Sequence, residues 1–381
     1  MTRRRAAIVG VAESELGKTP HLTVLSQQAQ ATKAALTEAG LRRDDVDGLF
    51  VAGGWSWAPA LALAEYLGMR PRYLDGTNIG GSSFEAHLGH ATAAIEAGVI
   101  DVAVIAYGST QRSDRSRNQP RPATLTEQFE RPYGLPTPVG AYALAANRYM
   151  HEHGVTSEQL AEVAVSTREW ARLNPQAYHR DPLTVDEVLA SPMICEPLRK
   201  LDCCLVTDGG GALVVAAEDR WPDLATRPVI VLGHGEATTH NTIANMPDLT
   251  VTGAARSGPA ALEMAGVGHD DIDVLEIYDS FTITVLLTLE SLGFCKPGEA
   301  GAFVADGRTA PGGEAPMNTN GGGLSCTHPG MYGIFLLIEA TRQLRHDFAG
   351  TPRQVDGAEL ALAHGTGGVL SSTSTIVLGR G

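Results

Sequence analysis

Lysine is scarce in this chain, with only Lys18, Lys33, Lys200 and Lys296 among 381 residues. Acidic residues number 43 against 29 basic ones, and the formal net charge is −14. A surface of that sign repels polyphosphate backbones and anionic bilayers, which excludes nucleic acid and membrane as general partners. No apolar run approaches the ~20 residues that a transmembrane helix needs. Arg3–Arg5 followed by AAIVGVA imitates a signal peptide. The apolar stretch is short, meets Glu13 at once and lacks a cleavage site, so it predicts a first buried strand instead. Cysteine is limited to positions 195, 203, 204, 295 and 326, with no CxxC pair and no even framework. That usage points to a reducing cytoplasm. The His151-Glu152-His153 triplet puts its histidines on different helix faces, so no metal site is expected. The Gly209–Gly211 run lacks the Lys-Ser/Thr ending of a phosphate loop.

What the chain does contain is a repeat. Residues 35–51 read ALTEAGLRRDDVDGLFV and residues 261–277 read ALEMAGVGHDDIDVLEI, identical at 8 of 17 positions. A second pair follows in the same order. NIGGSSFEAHLGHATAAIEA starts at Asn78, and NGGGLSCTHPGMYGIFLLIEA starts at Asn320. A period this long marks a duplicated domain rather than a solenoid, whose units run roughly 20–50 residues. Two such halves meeting about a pseudo-twofold axis make a site where they face each other. A hydrophobic content of 43% and a charged content of 19% suit a globular protein with a large core.

Apolar runs alternate with helical patterns, which predicts an α/β architecture of parallel strands covered on both faces. Strands are expected at 6–12, 48–54, 101–108, 209–218, 229–235, 272–278, 359–365 and 372–379. Helices are expected near 23–39, 82–97, 252–265, 281–292 and 329–346. Residues 109–205 break the alternation and have no counterpart in the second half. They open with the polar, proline-bearing QRSDRSRNQPRP and continue with two amphipathic helices, near 140–153 and 157–173. Such an insertion commonly forms a lid over a site. The division is therefore an N-terminal half, 1–226, carrying the insertion, and a C-terminal half, 227–381. Arg112, Arg115, Arg117 and Arg121 read either as a solvated loop or as a clamp for ligand phosphates, which guanidinium pairs with bidentately.

The duplicated halves, the glycine-rich helix start at 78–83, the segment IYDSF at 277–281 and GGGLSCTHPG at 321–330 together resemble the thiolase superfamily. The resemblance covers nearly the whole chain. It implies two βαβαβαββ halves stacked as αβαβα layers, with a loop domain inserted, in a homodimer. Thiolases attack an acyl thioester with a cysteine at the helix start that here reads NIGGSS, where the helix end favours a thiolate. The nucleophile's position falls at Gly80, give or take one residue, and no cysteine is present. Ser82 and Ser83 lack a local base and are expected to cap the helix. Tyr278 occupies a catalytic position of the family, His328 keeps the His-Pro motif, Tyr332 stands four residues later, and His364-Gly365-Thr366-Gly367-Gly368 matches the last family loop. Loss of both reactive cysteines with gain of two tyrosines resembles the sterol-carrier-type lipid-transfer branch, some members of which are steroid side-chain aldolases.

That resemblance implies a lyase that cleaves a β-hydroxyacyl-CoA by retro-aldol chemistry, with Tyr278, Tyr332, His328 and His364 as the catalytic group. Gly80, Ser82, Gly365, Arg112 and Arg115 are the expected substrate-binding residues. The CoA thioester is the substrate, and no covalently bound cofactor is expected. It also implies an OB-fold/zinc-ribbon partner protein. A retro-aldol reaction needs a base for the β-hydroxyl proton, a stabilised thioester enolate and a donor to its α-carbon, but no nucleophile. A phenol with a pKa of about 10 serves as a base only with help from hydrogen bonds or a cation. Two other readings are a Claisen-type acyltransferase using Cys326 or a serine, and a noncatalytic protein that binds acyl-CoA or lipid.

Overall fold

In the computed structural model, residues 4–114 and 124–381 are described. Eleven strands are present among them: β1 (Ala6–Glu13), β2 (Gly48–Val51), β3 (Tyr73–Asp75), β4 (Val102–Ser109), β5 (Met193–Cys195), β6 (Leu198–Arg199), β7 (Gly209–Ala217), β8 (Val229–Thr238), β9 (Val274–Ile277), β10 (Leu360–Gly367) and β11 (Ser372–Arg380). Nine of them join in the order β3-β2-β4-β7-β1-β8-β11-β10-β9, while β5 and β6 form a separate hairpin. The first five belong to the N-terminal half and the last four to the C-terminal half. Within the sheet, the two halves pair through Ala7↔Ile230 and Ile8↔Val229.

Two helices fill the space between the halves. Ser83–Glu96 touches β4 and β7 on one side and β8, β10 and β11 on the other, and Gly333–Arg345 likewise touches strands of both halves. The Val24–Ala39 helix covers the outer face of β1, β4 and β7; Ala254–Ala265 covers β8 and β11, with Thr282–Leu292 packed on it. The result is five layers, αβαβα. Strands β2, β4 and β7 are buried along almost their whole length, as strands covered on both faces must be.

The repeated letters turn out to be a repeated hydrogen-bonding device. Gly40 and Gly266 end their helices with left-handed backbone, φ 74° and 70°, where glycine carries no Cβ penalty. Asp45 then accepts from the Arg42 amide at 2.8 Å, and Asp271 from the Gly268 amide at 2.7 Å. Asp47 accepts from the Asp101 and Val102 amides at 3.0 and 2.9 Å, and Asp273 from the Glu359 and Leu360 amides at 2.8 and 2.9 Å. Each aspartate thus fixes where the neighbouring strand begins.

The expectation of parallel strands holds for only part of the sheet. Pairing is parallel for β2–β3, β2–β4 and β9–β10, but antiparallel for β4–β7, β1–β7, β8–β11 and β10–β11. The reason is a hairpin in each half. Strands β10 and β11 are joined by the short turn 368–371, in which Gly368 and Leu370 have φ of 64° and 57°. At the equivalent place in the first half, between Ser109 and Gly209, the insertion replaces that turn. Its helices Val139–His153 and Ser157–Leu173 pack with Thr282–Leu292 of the second half into one apolar core.

Candidate active site

The insertion and the facing ends of the halves enclose a cleft of about 1100 Å³. Its floor is Gly80, Gly81, Tyr278 and His328, with Thr366 and Gly368 at one side. The insertion contributes Tyr142, Lys200, Cys203, Cys204 and the apolar Val139, Ile194 and Leu205. A second groove of about 530 Å³ lies between the Val139–His153 helix and Ile243–Met246, and it contains none of the candidate residues.

Tyr278 follows directly on β9, and its amide donates to the carbonyl of His364 at 3.0 Å. That bond carries the β9–β10 ladder one residue further and turns the phenol towards the central layer. The hydroxyl lies 3.0 Å from Nε2 of His328 and accepts from the Tyr332 amide at 3.1 Å. His328 is held by its own amide, which donates to Oγ1 of Thr207 at 2.9 Å; Thr207 in turn bonds Thr327 at 2.7 Å. Tyr332 rests edge-on against Tyr278 and stacked on His328. Its hydroxyl donates to Oδ1 of Asn320 at 2.9 Å, so it points away from the cleft.

Beneath these rings, Asp279 accepts from the amides of Gly323 and Leu324 at 2.6 and 3.0 Å. This anchors the wide turn Gly322–Cys326 that leads to His328. Burial pushes the Asp279 carboxyl up to about 7 against the pull of those two N–H groups. Burial also raises both tyrosines well above the usual phenol value, aided by Cys204 at Tyr278 and by Asp279 at Tyr332. Both phenols are therefore neutral at rest. The two donors near Tyr278, an amide at a helix start and a histidine, are the groups that would stabilise a transient phenolate.

The position opposite Tyr278 is occupied by Gly81. A Cβ built on Gly81 would lie 2.6 Å from the phenol oxygen. A side chain at Gly81 would therefore occupy the same space as the Tyr278 phenol. Gly80 also lines the cleft, with φ 81° and a virtual Cβ 2.6 Å from the Gly368 nitrogen, which only glycine tolerates. Ser82 and Ser83 do not cap the helix as expected. Ser82 bonds Ser372 at 2.9 Å, and Ser83 donates to the Gly80 carbonyl at 2.6 Å. Both hydroxyls close the Gly80–Ser82 turn onto itself and onto β11, since that turn bends back against the hairpin.

Several other expected residues lie behind the cleft rather than on its surface. His364 is buried on β10, its Nδ1 2.8 Å from Thr375 and its Nε2 without a partner, and burial lowers it to about 3. Gly365 points into the central layer at Glu85. Cys326 is buried beside Ala171 and Ala177, accepts from Asn174 at 3.5 Å, and burial pushes its thiol far up. The Arg112 guanidinium donates to the Val206 carbonyl at 2.9 Å and stacks 4.9 Å from the Tyr178 ring. Arg115, Arg117 and Arg121 lie outside the described residues. Among the described residues, no three His, Cys, Asp or Glu side chains gather as a metal site, and no helix is long and apolar enough to cross a membrane.

The sequence reading gave no role to Asn320, Thr207, Asp279 or Tyr142. Asn320 had a usable signal, since it opens the second copy of a repeat whose first copy opens on Asn78. Tyr142 had none, because the insertion has no counterpart to align with, and Thr207 stands just past its end outside any motif.

Comparison with known proteins agrees with this architecture. The family described as thiolase, N-terminal domain, matches residues 6–219, and that described as thiolase C-terminal domain-like matches residues 235–380. The chain belongs to the thiolase family. It is 35% identical, over the full length of both chains, to the 17-hydroxy-3-oxo-4-pregnene-20-carboxyl-CoA lyase of Mycobacterium tuberculosis. It is 32% identical, over 98% of this chain and 97% of the other, to the steroid side-chain-cleaving aldolase of Thermomonospora curvata. An acetyl-CoA acetyltransferase of Methanothermobacter thermautotrophicus is 31% identical over 99% of this chain and all of the other. Among solved structures, the Ltp2-ChsH2(DUF35) aldolase superposes with a TM-score of 0.90 at 32% identity, covering 99% of this chain and 98% of that one.

Proposed function

We propose that this chain is a lyase that cleaves a β-hydroxyacyl-CoA thioester by retro-aldol chemistry, on a steroid or similarly bulky side chain. The observation that carries the reading is the replacement of a nucleophile by a phenol: Tyr278 lies over Gly81, in hydrogen-bond reach of His328. Relatives of similar length named as steroid side-chain lyase and aldolase support it. In the reaction, the β-hydroxyl loses its proton as the Cα–Cβ electrons pass to the thioester enolate, and the α-carbon is then protonated. The products are a ketone or aldehyde and a shortened acyl-CoA, with no co-reactant.

Tyr278 is the group placed to exchange a proton with substrate, its charge steadied by the Tyr332 amide and His328. His328 also reaches the cleft surface, where it stabilises the enolate oxygen. Tyr332 is the second acid–base residue of this proposal, acting once its hydroxyl leaves Asn320. His364 supports the backbone of Tyr278 through its carbonyl. Lys200 and His179, both on the cleft wall, would meet the phosphates of the CoA moiety. A homodimer and an OB-fold/zinc-ribbon partner complete the proposal; the two components of the superposed Ltp2-ChsH2(DUF35) aldolase support the partner. The cytoplasm is its proposed compartment.

The deciding experiment incubates the purified chain with a panel of β-hydroxyacyl-CoAs, with and without such a partner. A carbonyl product together with a shortened acyl-CoA is expected. A covalent acyl-protein trapped by mass spectrometry, or full activity in both the Tyr278→Phe and Tyr332→Phe enzymes, would overturn the reading.

A further inference from the structure

Glu85 lies in the first turn of the central helix Ser83–Glu96 and is fully buried. Neither carboxyl oxygen has a hydrogen-bond partner, and no ion pair involves it among the described residues. A polar group buried in that way opposes folding, and an aliphatic side chain would fill the same volume at lower cost. Its surroundings explain the shape, though. A Cβ at Gly365 would lie 2.5 Å from the Glu85 carboxyl carbon, and one at Gly333 would lie 2.6 Å from Oε1. The carboxyl thus occupies space released by two glycines. Gly365 follows His364, and Gly333 follows Tyr332. On the helix itself, Glu85 stands one turn beyond Gly81, against which the Tyr278 phenol is packed. Three segments that carry candidate residues close on one planar side-chain end.

We propose that Glu85 is a positioning residue of the reaction centre: its carboxyl sets the spacing between the Gly80–Ser82 turn, β10 at Gly365 and the helix start at Gly333. By that spacing it keeps Tyr278 seated on Gly81 and the Tyr332 amide within reach of the Tyr278 oxygen. Glu85 does not touch the cleft, so its effect is on the alignment of Tyr278 rather than on substrate affinity. Loss of alignment by about 1 Å costs roughly 100-fold in rate. The proposal rests on the retro-aldol reading for its kinetic consequence, and on geometry alone for its structural one.

The test uses the full-length protein with Glu85→Ala and Glu85→Gln, each first shown to be folded by its near-UV circular dichroism. The Ala variant is expected to lose kcat by about 100-fold with KM nearly unchanged. The Gln variant, which keeps the planar end and its length, should recover most of the rate. An Ala variant with wild-type kcat, or a Gln variant as slow as Ala, would overturn the proposal. A crystal structure of the Ala variant decides it without turnover. Displacement of Gly81 relative to the Tyr278 ring by more than about 0.5 Å supports the proposal, and unchanged positions sink it. Absence of cleavage by the wild-type enzyme would remove the retro-aldol reading and leave that structural test standing.

Discussion

Gly81 and Tyr278 are complementary: a methyl group on the glycine would lie 2.6 Å from the phenol oxygen. The glycine leaves free the space above the helix start that the phenol fills. Gly81→Ala should therefore push Tyr278 off His328 and the Tyr332 amide. A fall in turnover of about 100-fold or more is expected, since displacements of about 1 Å suffice for that. Steady-state kinetics on the folded variant checks it.

The two tyrosines are not equivalent, and their phenylalanine variants should separate them. Tyr278→Phe removes the cleft hydroxyl and also strips the buried Tyr332 amide of its acceptor. A rate loss of about 10²–10⁴ is expected, with a stability cost of about 1–3 kcal/mol for the orphaned N–H. Tyr332→Phe removes only a donor to Asn320, whose oxygen still accepts from the Gly322 amide at 2.8 Å. Its stability cost should be about 1 kcal/mol or less. Urea unfolding and kinetics on both variants give the comparison.

These two variants also show how far the site was legible. Tyr278, His328 and Tyr332 stood out because a family motif marks each of them, and the structure brings their rings within about 6 Å, at centroid separations of 5.7, 5.8 and 6.1 Å. The direction of the Tyr332 hydroxyl was not legible, since it depends on where Asn320 lands. Gly80 and Gly81 are identical in type, and only packing against Tyr278 tells them apart. Glu85 reads as an ordinary acid in a first helical turn, a favourable place for one. Its burial follows from glycines 248 and 280 residues away. Eight of the nine sheet strands were anticipated from their apolar runs. Strand β3 was not, because Tyr73–Asp75 is three residues long and only partly buried. Strand direction escaped for a related reason: antiparallel β10–β11 depends on a four-residue turn, and in the other half the insertion hides that turn.

The duplicated aspartates offer a test of the repeat itself. Asp47 and Asp273 each accept two backbone amides at the start of the neighbouring strand. Replacing either by alanine leaves donors without a partner, at a cost of about 1–3 kcal/mol. The two losses should be similar and nearly additive, because the sites lie in different halves and share no partner. Denaturant titration of Asp47→Ala, Asp273→Ala and the double variant measures this. A double variant much less stable than the sum would show that the halves couple through these strand starts.

Glu85 has a consequence for stability that is separate from rate. Burial pushes its carboxyl up to about 8, far above the usual carboxylate range. Between pH of about 4.5 and about 8 the native protein therefore holds a proton that the unfolded chain has released. Stability linked to this group is fully present below about pH 4.5 and is lost progressively as pH rises through that window. Glutamine cannot ionise, so Glu85→Gln should be neutral or slightly unfavourable at low pH and increasingly favourable towards pH 8. At that pH a gain in Tm on the order of 2–5 °C is expected for a chain of this size. Thermal unfolding of both proteins across the pH range checks the trend. A difference in Tm that stays flat with pH would mean that Glu85 titrates normally and is not held neutral by burial.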